Sequence, residues 1–205
     1  MPKFFLLILF SINFLFCHSQ TTDWEPVNLS NWGTIKLPPT MEIQSGQYKN
    51  MSDESKKSFS KNCERTIFQQ KGLNDFSNYS TYARVIIRTD FTKPGDLPKL
   101  NELVLSQPEI EKLNSFYKES TLSVCKIQNS ILLNWTKVTV TSLNGYKCLY
   151  YNYSRKMGEN PPVFSEFYIF YNYDKQHSLN FEYRISDKLK WFSEFENCKK
   201  TFKFK

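Results

Sequence analysis

Two glutamates offer the clearest route to catalysis in this chain of 205 residues. They lie on two consecutive predicted strands whose odd-numbered residues are largely apolar. If these odd-numbered residues share one core face, the residue numbers of each pair across the hairpin must sum to an even number. That hairpin is centred near Asp174 and sets Glu166 directly opposite Glu182. A close carboxylate pair beside aromatic rings is what a glycoside hydrolase uses, with one group protonated and the other acting as nucleophile or base. The favoured alternative is that Arg184 and lysines neutralise two surface acids.

The same register defines a candidate binding face. The even-numbered side of these two strands mixes aromatic rings with charges, so it is either solvated, covered by another layer or spare for binding. We predict a binding face made of Phe164, Glu166, Tyr168, Phe170, Glu182 and Arg184.

Other residue types argue against catalysis. After residue 20 the chain has one histidine, His177, which the pattern places at a hairpin turn where we expect it to be solvated. The sequence lacks a G-x-S-x-G elbow, a calcium-binding loop and a glycine-rich phosphate loop, and one imidazole cannot build a multi-histidine metal centre. We therefore predict a protein that is not an enzyme and has no catalytic, metal-binding or cofactor-binding residues.

Four cysteines follow the leader segment, at Cys63, Cys125, Cys148 and Cys198. An even number in an exported chain predicts two disulfides, and the sequence does not determine their connectivity. We favour Cys125 with Cys148, which closes a short loop, and Cys63 with Cys198. Buried cysteines that act as small hydrophobic side chains are the main alternative, and the lack of a C-x-x-C spacing argues against zinc.

The first residues have the layout of a secretory signal peptide over residues 1–19. A lysine precedes an apolar run from Phe4 to Phe16, and small residues follow, so we expect cleavage between Ser19 and Gln20. The run is shorter than a membrane span, so no transmembrane segment is expected after cleavage. Acylation of Cys17 to give a lipoprotein is the less favoured alternative. The predicted location is periplasmic or extracellular.

The positive charge is dispersed along the chain. The formal net charge is +7, and the lysines at the C-terminus alternate with apolar residues as in a half-buried strand. Nucleic-acid binding would require a basic stripe with stacking aromatics, so we do not expect it. An anionic cell envelope or polysaccharide is the more plausible acidic neighbour.

A sheet must position these residues, because the composition disfavours a helix bundle. Ala83 is the only alanine, and 17% of the residues are aromatic. On the strand over 82–91, Arg84, Arg88 and Asp90 fall opposite Val85 and Ile87. Alternation and turn signals predict strands over 32–37, 41–44, 65–70, 82–91, 136–141, 146–153, 163–171, 178–185 and 201–205, with a turn at Asn144-Gly145.

Two helical regions interrupt these strands in a single domain over residues 20–205. Apolar residues recur at helical spacing from Leu97 to Val104, and a capping box at Ser106 begins a second helical segment. A further helix is predicted after Ser186, with Trp191 on its apolar face.

This order of elements resembles the PsbP-like superfamily, which also includes the Ran-binding Mog-type proteins. The resemblance covers most of residues 30–205 and implies an α+β fold, an α/β/α sandwich with a central antiparallel sheet. The segment at 37–46 is similar to uncharacterised exported proteins of Bacteroidetes-type bacteria. The residues that carry the resemblance are Asn144-Gly145-Tyr146-Lys147, the strand Phe181–Ile185 with the Trp191 helix, and Lys200–Phe204.

Members of this superfamily mostly act as binding or assembly proteins. We therefore expect an exported, non-enzymatic protein with a protein or cell-envelope partner and no nucleic acid. The alternative is a small-ligand carrier with an aromatic-lined pocket, and a carboxylate-pair glycoside hydrolase is the least favoured. The tyrosines that would line such a pocket are Tyr150, Tyr151, Tyr153, Tyr168 and Tyr171.

Overall fold

The computed structural model describes residues 24–29, 32–50, 53 and 62–205. The predicted signal peptide over residues 1–19, including Cys17, lies outside these ranges. The domain prediction for residues 20–205 therefore stays a prediction at its N-terminal boundary.

A large antiparallel sheet of eight strands forms the centre of the fold. Its order is β3-β4-β5-β10-β9-β8-β6, and β7 pairs with β8. The strands are β3 (Met41–Ile43), β4 (Cys63–Gln70), β5 (Ala83–Phe91), β6 (Ser130–Trp135), β7 (Thr139–Leu143), β8 (Tyr146–Met157), β9 (Val163–Asn172) and β10 (Lys175–Arg184).

A smaller sheet, two long helices and a short helical segment at 46–50 complete the described fold. The smaller sheet has the order β1-β2-β11 and comprises β1 (Glu25–Leu29), β2 (Gly33–Leu37) and β11 (Lys203–Phe204). Helix α1 spans Gln107–Ile127, and helix α2 spans Lys188–Thr201 after a 3-10 turn at Ile185–Asp187. The predicted capping box is present, because Glu109 accepts a hydrogen bond of 2.7 Å from the Ser106 backbone N–H. The segment from Leu97 to Val104, which was expected to be helical, consists of turns and irregular structure.

The large sheet is covered on both faces. On the α1 face, Tyr117 of α1 packs with Leu149, Tyr151 and Ile169 of the sheet. The α2 face is covered by α2 and the smaller sheet, whose buried side chains pack with Val85, Cys148, Phe170 and Phe181. The predicted α/β/α sandwich with a central antiparallel sheet is therefore confirmed, with the smaller sheet as an addition to the α2 layer.

The register of the β9–β10 hairpin differs from the prediction by one residue. Glu166 pairs with Phe181 and Phe167 pairs with Asn180, so paired positions sum to an odd number. The hairpin turns through two residues, Tyr173 and Asp174. The predicted register was wrong because it assumed a single core face, whereas burial on both faces lets the odd residues of β9 and those of β10 point to opposite sides.

A buried ammonium group holds α2 against the sheet. Lys199 is 5% exposed, and its Nζ lies 2.9 Å from Glu166 Oε1 and 2.5 Å from Glu196 Oε1. Burial alone would lower the pKa of Lys199, but the charge of Glu166 and the neighbouring Tyr168 outweigh it and raise the pKa. Lys199 is therefore charged, and its ammonium offsets the cost of burying the Glu166 carboxylate.

No disulfide joins Cys63, Cys125, Cys148 and Cys198, and each is a buried thiol. Both favoured pairings were wrong, because the sheet lies between the members of each pair. Cys125 is on α1 and Cys63 is on the α1 face of β4, whereas Cys148 and Cys198 belong to the core on the α2 face. The four cysteines are instead buried thiols that act as small hydrophobic side chains, which was the main alternative.

Replacing Lys199 should destabilise the protein far more than replacing its exposed neighbour. Lys199→Ala leaves the Glu166 carboxylate buried without its cation, which costs about 3–5 kcal/mol. Lys200→Ala on the same helix should change stability by less than about 0.5 kcal/mol. Urea unfolding of both variants measures the difference, and equal losses would show that the buried ion pair does not hold α2. The double variant Glu166→Gln with Lys199→Met should recover much of the loss.

The cysteines should be slow to react in the native protein. Burial raises the pKa of Cys148 to about 12 and also raises the pKa of Cys198, so little thiolate is present at neutral pH. We expect dithiothreitol to leave the melting temperature unchanged and iodoacetamide to label these four thiols only after unfolding. Peptide mass spectrometry reads out the labelling, and a disulfide-linked peptide pair would contradict this expectation.

Candidate ligand-binding cleft

A cleft of about 960 Å³ opens on the α1 face beside helix α1. Its floor is formed by β4, β5 and β10, which lie next to the part of the sheet that α1 covers. Thr121 and Val124 of α1 form one wall, and Tyr79 and Leu73 of the loop after β4 form the other. The cleft therefore results from a single helix that covers only part of a broad sheet face.

Charged and apolar residues alternate along the cleft floor. Arg65 of β4 pairs directly with Arg88 of β5, and the next pair on this face joins Ile67 to Ile86. Two positions further along β5, Arg84 pairs with Glu182 of β10. The floor thus has an arginine-containing row at each end and an apolar row between them.

Two arginines directly opposite each other repel, so this pairing reduces the stability of the sheet. Burial and the neighbouring Arg88 lower the pKa of Arg65, and the charge of Asp53 acts in the opposite direction. Asp90 accepts hydrogen bonds from Nε and Nη2 of Arg88 at 3.0 and 2.5 Å. Asp90 thus pairs with Arg88, and Asp53 is the carboxylate whose charge acts on Arg65.

A buried hydrogen-bond network organises the other end. Glu182 Oε1 accepts hydrogen bonds from Ser165 Oγ and Asn180 Nδ2, both at 3.1 Å, and Oε2 accepts one from the Tyr82 hydroxyl at 3.3 Å. Arg155 Nη2 lies 3.8 Å from the same carboxylate. Burial and then the charge of Glu182 raise the pKa of Tyr82 to about 12, so its hydroxyl stays protonated and donates. Glu182 therefore positions its neighbours and is itself fully occupied.

Three buried polar atoms that line this cleft have no hydrogen-bond partner within the described part of the chain. They are Thr81 Oγ1, Arg84 Nε and Asn180 Oδ1. Asn180 is 5% exposed, and its amide is oriented by the hydrogen bond to Glu182. Leaving a buried polar group unsatisfied costs about 1–3 kcal/mol, so such groups in a cleft indicate that something else satisfies them.

Stacked rings form the aromatic part of the cleft. Tyr151 stacks on Phe167 with ring centroids 4.7 Å apart, and Tyr153 stacks on the same ring at 5.6 Å. At the arginine end, the guanidinium of Arg84 lies 5.3 Å from the centroid of the Tyr82 ring. These rings offer flat, rigid surfaces beside the charged groups.

The predicted binding face is divided between the two sides of the sheet. Glu182 and Arg184 line the cleft on the α1 face, whereas their expected partners lie on the α2 face. The carboxylates of Glu166 and Glu182 are thus separated by the sheet, and the carboxylate pair of the least favoured hypothesis, a glycoside hydrolase, does not form. The four residues on the α2 face are Phe164, Glu166, Tyr168 and Phe170.

The predicted tyrosine lining is divided in the same way. Tyr151 and Tyr153 line the cleft, and Tyr171 packs in the core beneath α1. Tyr150 and Tyr168 lie on the α2 face, where their ring centroids are 5.1 Å apart. An aromatic-lined cleft is present, but alternation along β8 and β9 gives it only part of the expected set.

Arg65, Arg84 and Arg88 were not identified as site residues from the sequence. The alternation of β5 correctly places Arg84 and Arg88 on the face opposite Val85 and Ile87. What the sequence does not show is that β4 sets a third arginine beside them, because the pairing of β4 with β5 depends on the loop between them. The signal available in the sequence was the position of each arginine on the predicted strands.

His177 lies in the core, not at a solvated turn. Because the turn comprises only Tyr173 and Asp174, β10 already begins at Lys175, and His177 is 1% exposed. Its ring stacks on Trp32 at 4.2 Å, and Nδ1 lies 3.0 Å from Thr89 Oγ1. Burial, with a smaller contribution from Lys175, lowers the pKa of His177 to about 4.

The next two statements hold for the described ranges, 24–29, 32–50, 53 and 62–205. Within them, no helix combines the length and apolar character that crossing a bilayer requires. No group of three histidine, cysteine, aspartate or glutamate side chains in these ranges is arranged to hold a metal ion.

Comparison with known proteins finds similarity in structure. No family model matches the chain, and no curated protein matches it. The solution structure of cyanobacterial PsbP (CyanoP) from Synechocystis sp. PCC 6803 is similar with a TM-score of 0.49 and 12% identity, over 88% of this chain and 92% of that chain. A crystal structure from Bacteroides thetaiotaomicron VPI-5482 has a TM-score of 0.44 and 10% identity, over 85% of this chain and 45% of that chain. Both likenesses concern the fold alone.

The buried His177 should make stability fall in mildly acidic solution. The unfolded state takes up a proton near pH 6.5 and the folded state only near pH 4, so stability is fully present above pH 6.5 and is lost as pH falls towards 4. The loss attributable to this residue is roughly 3 kcal/mol. His177→Phe, which can keep the stacking on Trp32, should lack this component. Urea unfolding between pH 4 and 7.5 tests it, and parallel curves for the two proteins would contradict it.

Proposed function

We propose that this chain is an exported, non-enzymatic binding protein of the cell envelope and that the cleft on the α1 face binds an anionic ligand. Export rests on the predicted signal peptide over residues 1–19. The cleft supplies the binding surface, and its positive charge supplies the preference for anions.

One observation carries this proposal. All five arginines of the chain line the cleft, whereas none of the lysines that the structure describes does so. The chain has 27 basic residues, so lysines outnumber arginines by 22 to five. Arginine presents a planar fork of donors that matches the two oxygens of a carboxylate, sulfate or phosphate, whereas lysine is a mobile point charge. Their segregation indicates recognition of an oxyanion and is unlike a general basic surface. The five residues are Arg65, Arg84, Arg88, Arg155 and Arg184.

The shape of the site favours a ligand that enters a cleft over a flat protein partner. Its volume of about 960 Å³ lies within the range of small-molecule sites, about 300–1,000 Å³. Asn180 Oδ1 and Arg84 Nε, which have no partner among the described residues, line the cleft and supply directed hydrogen bonds. This reading combines the envelope-binding and ligand-carrier hypotheses, since the bound group can be free or part of an envelope component.

The proposal is tested with naphthalene-2-sulfonate and its uncharged analogue naphthalene-2-sulfonamide. The sulfonate should bind one site, because its oxygens meet the arginines and its rings meet the tyrosines, and the sulfonamide should bind at least tenfold more weakly. Arg84→Lys keeps the charge but removes the fork, so it should weaken sulfonate binding about tenfold, or about 1.4 kcal/mol. Isothermal titration calorimetry measures both.

Lys118→Ala removes one exposed positive charge from α1 and serves as the matched control. It should leave the affinity for the sulfonate unchanged. Equal binding of the sulfonate and the sulfonamide, or equal effects of Arg84→Lys and Lys118→Ala, would overturn the assignment of the cleft as an anion site.

A further inference from the structure

Three arginines lie around Glu182 at one end of the cleft floor, and one of them has no carboxylate partner. Arg155 Nη2 lies 3.8 Å from Glu182 Oε2, and Arg184 Nε lies 3.8 Å from Asp187 Oδ2. Arg84 is opposite Glu182 in the strand register, yet within the described ranges it forms no ion pair and its buried Nε has no hydrogen-bond partner. Arg84 therefore retains a donor and a positive charge for a ligand oxyanion.

An acceptor without a partner lies on the adjacent strand. Asn180 is buried, and its Nδ2 donates to Glu182 Oε1 at 3.1 Å. Because a carboxylate only accepts hydrogen bonds, this contact fixes which end of the amide is the oxygen. Oδ1 has no partner among the described residues and can only accept, so a ligand must supply a donor here. The hydroxyl of Thr81, also unpartnered in the cleft, can donate or accept and so makes no such demand.

The register makes Arg84 and Asn180 diagonal neighbours on the α1 face. Arg84 pairs with Glu182, and Asn180 is two residues before Glu182 on β10. Diagonal neighbours on one face of a sheet have Cβ atoms about 7–8 Å apart. Two hydrogen bonds of about 2.9 Å each bridge most of that separation. A ligand can therefore meet both side chains when its acceptor and its donor are carried by adjacent carbon atoms.

Apolar side chains flank Asn180 on both sides. Ile86 of β5 and Phe167 of β9 each pair directly with it. Tyr151 stacks on Phe167 with ring centroids 4.7 Å apart, and all three of these apolar and aromatic side chains line the cleft. A substituent of the ligand beside the donor group therefore meets an aliphatic side chain and flat rings.

The charges around the site favour a hydroxyl group as the donor over an ammonium group. Arg84, Arg155 and Arg184 all line this end of the cleft. The carboxylates of Glu182 and Asp187 already lie beside two of these guanidinium groups. An ammonium group would add a fourth positive charge, whereas a hydroxyl group donates to Asn180 without one.

We infer that this end of the cleft binds an α-hydroxy carboxylic acid with an apolar or aromatic substituent. The carboxylate pairs with Arg84, the hydroxyl on the adjacent carbon donates to Asn180 Oδ1, and the substituent covers Ile86 and Phe167. The assignment rests on the proposed function and adds to it the class of ligand.

The test compares the two enantiomers of mandelate with phenylacetate, which lacks only the hydroxyl group, and with O-methylmandelate, in which the hydroxyl can no longer donate. Isothermal titration calorimetry at fixed ionic strength is carried out on the wild-type protein, Arg84→Lys and Asn180→Leu. Asn197→Ala, on α2 at the opposite face of the sheet, is the matched control. Circular dichroism melting curves verify that each variant is folded.

The preferred enantiomer of mandelate should bind the wild-type protein at least tenfold more tightly than phenylacetate, and O-methylation should remove this gain. Asn180→Leu keeps the size of the side chain but removes the acceptor, so it should reduce mandelate to the affinity of phenylacetate and change phenylacetate less than twofold. Arg84→Lys should weaken both acids about tenfold, because both use the same oxyanion contact. Asn197→Ala should change neither.

Three results would overturn this assignment. The first is equal affinity of phenylacetate and both mandelate enantiomers, and the second is a gain that survives O-methylation or Asn180→Leu. The third is no binding of any of these acids. Naphthalene-2-sulfonate separates these failures from failure of the proposed function: sulfonate binding that still depends on Arg84 leaves the anion site intact, and loss of sulfonate binding as well rejects both.

Discussion

Both faces of the large sheet are covered, and most other features of the molecule depend on this arrangement. A sheet with one wet face allows only one parity of side chains into the core. Here α1 packs on one side, and α2 with the smaller sheet packs on the other. Alternate residues of a strand can therefore both be buried, which explains how 17% aromatic residues fit into the fold with a single alanine. It also explains why the two-residue turn at Tyr173–Asp174 is compatible with burial of both β9 and β10.

Local signals in the sequence predicted much of the fold. The Asn144-Gly145 turn is formed with positive φ at both residues, the Ser106 capping box starts α1, and most predicted strands are present within a few residues. The strand β6 was missed because its apolar residues do not alternate, and it contains a register shift between Leu132 and Asn134. The turns from Leu97 onwards resemble a helix in spacing, but the carboxylate of Asp96, the preceding capping residue, accepts a hydrogen bond from the Lys93 backbone N–H in the turn before them.

The candidate site was less accessible to sequence reasoning because it depends on pairings between distant strands. Glu182 and Arg184 were named, but with partners that lie across the sheet. A one-residue error in the β9–β10 register was enough to join Glu166 to Glu182. The contact between Arg65 and Arg88 depends on a pairing of β4 with β5 that no local pattern determines. Parity along one strand can be predicted, whereas the neighbour of that strand is a property of the whole fold.

The separation of arginines from lysines has a practical consequence for chemical labelling. Reagents that modify guanidinium groups, such as phenylglyoxal, find their targets in the cleft, because every arginine of the chain lies there. Reagents that modify amines act on lysines elsewhere in the described structure. The natural composition thus provides two orthogonal chemistries, so that a fluorophore or surface linker attached through lysine leaves the cationic groups of the cleft unmodified.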